Sequence, residues 1–238
     1  MKNNSTKLLL AMGVVLSLPF FNSCQDKNKD DFDWNLTRPN TTMTVKPIDD
    51  KSAYFQIDDK TKAWPVNLGK LPYGNKEVRA VANLTEVEMP ADIDKEKYAM
   101  AVKINWMDSI LTKKTVVTLG DPAKDSGTYG NDPVEILKGF TAVEDGYFTL
   151  HVLAYWGNPG VTHSFDLVTG SNPKDPYEVV FRHNAHNDPA FTQGDILIAF
   201  RLSDLPDTKG ETVKLKLRFR SASQGEKVVE FDYCTRKD

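Results

Sequence analysis

From Thr41 onward, apolar and polar positions alternate with a period of two, as in strands with one face turned inward. Across Lys76–Glu88, Val78, Ala80, Ala82 and Leu84 interleave with Glu77, Arg79, Val81 and Asn83. In Tyr98–Trp106, Ala99, Ala101, Lys103 and Asn105 interleave with Met100, Val102, Ile104 and Trp106. Shorter strands are predicted at Met43–Lys46, Ala53–Ile57 and Ala63–Leu68, separated by turn-forming Pro, Gly and Asp. Ile110–Leu119 is expected to complete the set. About five or six short strands within residues 41–119 suit a small closed barrel.

Residues 120–130 (GDPAKDSGTYG) hold three glycines and a proline without apolar periodicity, so they read as a linker. Longer strands follow in residues 131–238. Gly139–Val143 and Tyr147–Trp156 flank a Glu144-Asp145-Gly146 hairpin turn. Thr162–Val168, Tyr177–His183, Asp195–Leu202, Val213–Arg220 and Lys227–Cys234 come next, with turn clusters between them. Ile196–Phe200 is apolar on both faces and is expected to be central. With no helical period anywhere, the second half predicts an antiparallel β-sandwich. The fold class expected is therefore all-β, a barrel followed by a sandwich.

The first 40 residues follow a different pattern. Lys2 and Lys7 precede an almost unbroken apolar run, Leu8–Phe21, after which the chain turns abruptly polar. As a helix that run reaches about 21 Å, too short for an ordinary membrane span. A basic front, a short apolar core and a small residue, Ser23, before the cut read as an export signal over residues 1–23. Cys24 directly after the cut makes it a lipoprotein signal whose thiol carries lipid, and chains added there suffice for stable membrane attachment. Residues 24–40 read as a flexible polar tether. Asp26–Asp30 opens like a calcium loop, but Asp31 stands at the glycine position and Thr37 at the bidentate glutamate position, so no metal is expected.

Composition narrows the rest. The 238-residue chain has a formal charge of −3, which becomes −5 once Lys2 and Lys7 leave with the signal. Residues 40–117 hold twelve basic and eleven acidic side chains, too balanced for a nucleic-acid groove. Two cysteines, Cys24 and Cys234, do not make a disulfide framework.

With Cys24, the stretches YGNKEVRAVANLTEVE (73–88), INWMDSILTK (104–113), YGNDPVEI (129–136) and DYCTR (232–236) resemble the NigD-like lipoproteins of Bacteroidota over essentially the whole mature chain. The resemblance implies an OB-type barrel before the sandwich. It also implies an immunity or accessory role beside a bacteriocin, without naming a chemical activity. The acidic stretch after Cys24 is similar to the surface-export signal of such lipoproteins. The expected location is the outer membrane, on its cell-surface or periplasmic side, with the surface favoured.

Several constellations bear on function. Lys214, Lys216, Arg218 and Arg220 alternate with core positions Val213, Leu215, Leu217 and Phe219, forming a cationic stripe in a region with twelve basic and sixteen acidic residues. The stripe reads either as a solvated face or protected strand edge or as the docking face for an unknown protein or glycan partner: an acidic protein, lipid A phosphate or an anionic polysaccharide. Residues 182–188 (RHNAHND) would bring imidazoles and a carboxylate together only if the chain turned at Asn184-Ala185, so turn or surface histidines are expected. Trp106, Trp156 and Tyr155 could offer a sugar-stacking platform, although period two places both tryptophans on apolar faces. Asp108-Ser109-Ile110 matches a short O-glycosylation pattern at Ser109. No GxSxG, HExxH or phosphate-binding glycine loop is present, so neither a catalytic residue nor a cofactor is predicted. A binding protein that meets a macromolecular partner is the leading expectation; a surface glycan-binding lipoprotein serving polysaccharide uptake is the alternative.

Overall fold

The period-two segments of the first half close on one another. In the computed structural model, which describes residues 34–237, these are β1 (Thr41–Pro47), β2 (Ala53–Gln56), β3 (Lys62–Pro65), β4 (Val78–Val87) and β5 (Met100–Ser109). They hydrogen-bond in the order β1-β2-β3-β5-β4, and β4 returns to β1 to close the barrel. The core is small-residue rich: Ala53, Ala63, Ala80 and Ala82 pack beside Met43, Val45, Phe55 and Val102. Residues 1–23, Cys24 and the stretch resembling a calcium loop lie outside the described residues.

The end of the expected tether is docked rather than free. Asn83 Nδ2 donates to the carbonyls of Asn35 and Arg38 at 2.8 and 2.5 Å, and Trp106 Nε1 donates to Leu36 O at 2.8 Å. Asn83 lies where the β4–β5 register shifts. These three bonds hold the 3-10 turn Trp34–Leu36 and its continuation against the barrel.

Residues 110–119 are not a sixth barrel strand. They give β6 (Leu111–Lys114) and β7 (Val116–Val117), followed by α1 (Pro122–Tyr129), β8 (Glu135–Glu144), β9 (Tyr147–Trp156), β10 (Ser164–Thr169), β11 (Glu178–Asn184), β12 (Thr192–Arg201), β13 (Val213–Ser221) and β14 (Gly225–Tyr233). One sheet runs β14-β13-β11-β10-β7, the other β6-β12-β9-β8. Antiparallel ladders join β8–β9, β9–β12, β10–β11 and β13–β14, while β11–β13 and the short strands β6 and β7 pair in parallel. The segment from Leu111 to Val117 thus closes one side of the sandwich by joining the rims of both sheets. Ile110 turns inward at the domain junction with Tyr147 and Ala199, which draws the chain away from the barrel.

Inside the sandwich, Phe148, Leu150, Val152, Ile198 and Phe200 meet Phe165, Leu167, Phe181, Leu215, Leu217 and Phe219. Burial of each such side chain stabilises by about 1.5–3 kcal/mol, which makes this cluster the main source of stability.

The two domains form one body through the tip of the β8–β9 hairpin. Asp145 and Gly146 take φ of 51° and 75°, the paired positive values of a type I′ turn. Lys46 Nζ donates to Asp145 Oδ1 at 2.7 Å, and the Asp145 N–H donates to Asp59 Oδ1 at 2.6 Å. Glu77 Oε1 accepts from Tyr147 OH and from Arg236 Nη1, both at 2.7 Å. Arg79 projects outward from the barrel into this seam and is wholly buried. Its Nε donates to Thr149 Oγ1 at 3.0 Å, Nη1 to Thr44 Oγ1 at 3.4 Å, and Nη2 to Thr42 Oγ1 at 3.2 Å and Glu144 Oε2 at 2.8 Å. Burial raises the Glu144 pKa despite that partner, as expected where two charges leave water together.

Candidate functional site

The residues expected to be a linker build the roof of a cleft. Asp121 caps α1 by accepting from the Ala123 N–H at 2.8 Å, and Pro122 occupies the first turn, where its missing N–H costs nothing. Gly130 ends the helix at φ 87°; a Cβ there would lie 2.3 Å from His183 O, so only glycine fits. Asp125 is buried and accepts from Thr118 Oγ1 at 2.6 Å and the Leu119 N–H at 2.7 Å, fastening the helix to the strand rim. Those cap signals were present in the sequence, but a helix this short shows no apolar stripe.

Between α1, the Gly170–Pro173 turn and the outer face of the five-stranded sheet is a cleft of about 470 Å³. That volume lies within the range of about 300–1,000 Å³ for ligand sites. Its charged lining is Arg182, Arg218, Asp125, Glu178 and Glu226. Arg218 grips Glu178 Oε1 through Nε and Nη2 at 3.0 and 2.6 Å, while Asn172 Nδ2 donates to Glu178 Oε2 at 3.1 Å. Arg182 has no carboxylate partner within ion-pair distance among the described residues. Its Nη1 donates to Asn131 Oδ1 at 2.7 Å and Ser126 Oγ at 3.3 Å, and its buried Nε has no hydrogen-bond partner. The neighbouring carboxylate across the ladder, Asp166, is taken by Lys113.

Three members of the cationic stripe are matched by the protein's own acids and the fourth by a backbone carbonyl. Lys214, Lys216, Arg218 and Arg220 stand opposite Asp232, Glu230, Val228 and Glu226 of β14. Lys214 pairs with Asp232, Lys216 with Asp175 at 2.7 Å, Arg218 with Glu178, and Arg220 Nη1 donates to Asn131 O at 3.0 Å. Hydrogen bonds donated to Asp232 and Asp175 raise the pKa of Lys214 and Lys216. Of the four, only Arg218 lines the cleft.

The histidines correct the sequence reading in part. His186 is exposed, but His183 is buried, because β11 continues through Asn184 and turns only afterwards, with His186 and Asn187 at φ 51° and 62°. His163 Nδ1 lies 2.9 Å from His183 Nε2, and His163 Nε2 lies 3.1 Å from Asp188 Oδ2. Trp156 stacks on His163 at 4.0 Å, and Phe165 stacks on His183 at 4.7 Å. Burial, then the neighbouring His163, pushes the His183 pKa down to about 4. Asp188 also accepts from the N–H groups of Gly157 and Asn158, both at 2.7 Å, so the cluster pins two loops together. Ser164 Oγ and His186 Nε2 are 2.9 Å apart, but Asp188 is committed to His163 and does not orient that imidazole. Among the described residues no group of three or more ligating side chains converges on a metal position.

The aromatic platform does not assemble. Trp106 is in the barrel, Trp156 is turned onto His163, and Tyr155 is the exposed member, accepting from Gln193 at 2.8 Å. Ser109 is exposed at the end of β5, with its N–H donating to Asp108 Oδ1. Cys234 is a free thiol. No described helix is long and apolar enough to cross a membrane.

Comparison with known proteins adds relatives to this geometry. The NigD-like N-terminal OB domain profile matches residues 42–110, and the NigD-like C-terminal beta sandwich domain profile matches residues 114–233. A candidate toxin-related protein from Parabacteroides distasonis is 32% identical, with 82% of this chain and 92% of that one covered at a TM-score of 0.65. A NigD-like immunity protein from Bacteroides caccae is 16% identical, with 82% and 96% covered at 0.58. A candidate lipoprotein from Bacteroides fragilis is 15% identical, with 82% and 99% covered at 0.50; at such identities the likeness is one of fold. No curated protein matches the chain.

Proposed function

The chain belongs to the NigD-like family, and on that premise we propose that it is a non-catalytic binding protein of the bacterial envelope, anchored by lipid at Cys24 and receiving its partner at the cleft under α1. The observation that carries this reading is the pre-built polar cleft beside an ion-paired sheet face. Its roof is capped and tied down, so little needs to be ordered when a partner arrives. The immunity protein and the toxin-related protein among its structural relatives favour a setting in bacteriocin self-protection. The lipoprotein relative and the sequence around Cys24 favour the outer membrane, with the cell surface ahead of the periplasmic side. Lys214 and Lys216 are neutralised by their own acids and Arg220 is tied to a backbone carbonyl, which moves the proposed docking site to the cleft that Arg218 joins. Exposed Ser109 remains the proposed glycan attachment point.

A photo-crosslinking residue at Ser171, on the rim of the cleft, tests the reading in whole cells. Adducts from this position, with few from Lys214, are expected. If Ser171 gives no adduct in any envelope fraction while Lys214 does, the cleft is not the docking site. Labelling with an alkyne fatty acid that is lost in Cys24→Ala is expected for the anchor. Altered bacteriocin sensitivity on deletion of the gene is the outcome expected for self-protection.

A further inference from the structure

We infer that the cleft under α1 takes a neutral, polyhydroxylated ligand, a sugar unit of a glycan, with Arg182 as the residue that reads adjacent hydroxyls. This inference rests on the binding reading above and names the ligand class. Charge argues first. The lining holds three acidic and two basic side chains, so the cleft has no excess of positive charge for a phosphate, sulfate or polyuronate. Two of the three acids are already closed off: Asp125 by Thr118 and Leu119, Glu178 by Arg218 and Asn172. The acceptor left at the rim is Glu226, which would take a ligand hydroxyl but repel a ligand anion.

Hydrogen-bonding capacity argues second. Among the described residues Arg182 is held by the neutral oxygens of Ser126 and Asn131, and its enclosed Nε has no acceptor, so the guanidinium at the cleft wall has donor capacity unspent. A guanidinium presents its donors in a rigid fork, which suits two neighbouring hydroxyl oxygens as well as a carboxylate. Ser126 and Asn131 both accept from Arg182, so the Ser126 hydroxyl hydrogen and the Asn131 amide hydrogens face no competing claim from it. Hydroxyl groups both donate and accept, so a ligand rich in them can engage Arg182 and Glu226 together. Shape argues third. Pro122, Pro173 and Val180 are the larger apolar members of the lining, surface that the C–H groups of a sugar can meet.

Affinity electrophoresis and calorimetry on the soluble body with cellohexaose, maltohexaose and mannohexaose, and with an oligogalacturonate as the charged control, test the inference. At least one neutral oligosaccharide is expected to bind, and the oligogalacturonate is expected not to. Arg182→Gln is expected to weaken the neutral ligand by about tenfold, the usual loss for one charge-assisted hydrogen bond. Ser171→Trp, which blocks the mouth from an exposed position, is expected to abolish binding with an unchanged melting temperature. Equal or tighter binding of the oligogalacturonate would overturn neutral-sugar recognition while leaving the cleft as a binding site. If Ser171 crosslinks to a protein in cells and no oligosaccharide is retained, the ligand class is wrong and the docking site stands. Retention that survives Ser171→Trp would place the sugar elsewhere and overturn the inference.

Discussion

Arg79 and Arg182 are both strand residues facing away from their own domain's core, and both are seated by hydroxyl or amide oxygens. Their surroundings separate them. Arg79 is sealed between two domains, with all three of its nitrogens engaged and one carboxylate partner, Glu144. Arg182 lies at the edge of a cleft, has no carboxylate partner and leaves Nε idle. A guanidinium whose donors are used up holds structure together, because removing it strands a charge. One left incomplete at the wall of a cleft keeps unused donor capacity. The contrast lies in the packing, since both residues occupy equivalent alternating positions in the sequence.

The sharpest break to attempt is Arg79→Ala. It leaves Glu144 in the seam without its partner, and the expected cost is about 3 kcal/mol in urea unfolding. Adding Glu144→Gln should return part of that loss, because the orphaned charge goes. A loss below about 1 kcal/mol, as for an exposed pair, would erase the distinction drawn here.

Acid comes next. The folded-state pKa of His183, about 4, lies below its ordinary 6.5. The unfolded chain therefore binds the proton first, and stability falls as pH drops from about 6.5 towards 4, then levels off for this group. Lowered carboxylates, Glu77 and Asp188 among them, extend the loss below that window, since their stabilisation disappears on protonation. Urea midpoints measured across pH 7 to 3 are expected to decline in this way. His183→Phe should flatten the upper part of the decline, and an unchanged profile would show that the imidazole is not buried neutral.

Arg182→Gln gives up charge-assisted bonds to Asn131 and Ser126 and is expected to cost about 1.5 kcal/mol, half the Arg79→Ala loss, while weakening ligand as described. A stability loss matching that of Arg79→Ala would make the two arginines equivalent. Smallest of all is Lys214→Met. Its partner Asp232 is as exposed as the lysine, so the melting temperature should not move with either the substitution or added salt.

Much of this architecture was legible in the chain. Glu144-Asp145-Gly146 between two strand runs called for a hairpin turn, and the structure supplies one, shortened to Asp145-Gly146 because β8 runs on through Glu144, with both φ values positive. Period two marked Leu215, Leu217 and Phe219 as core, and they are. The alternation could not say which sheet Leu111–Val117 would join, because strand pairing is decided by partners far along the chain. Nor could it show that the outward face of β4 would be buried by a second domain, which is why Arg79 passed as a surface residue. His183 was hidden for a related reason: its partner, His163, lies on another strand. For the cleft, Arg218 was singled out, but Arg182 was noticed only as a neighbour of histidines. Its meaning depends on Asp166 being held by Lys113.

The hairpin tip at Asp145 also determines how load crosses the molecule. Force applied at α1 would enter through the five-stranded sheet, cross the packed sandwich and leave through the Glu144–Gly146 turn into β1. β1 is paired to β4 from Thr41 to Val45. Held from its N-terminal side, the body would pass load through that ladder, the Lys46–Asp145 contact and the Arg79 and Glu77 bonds of the seam, none of which touches the cleft lining.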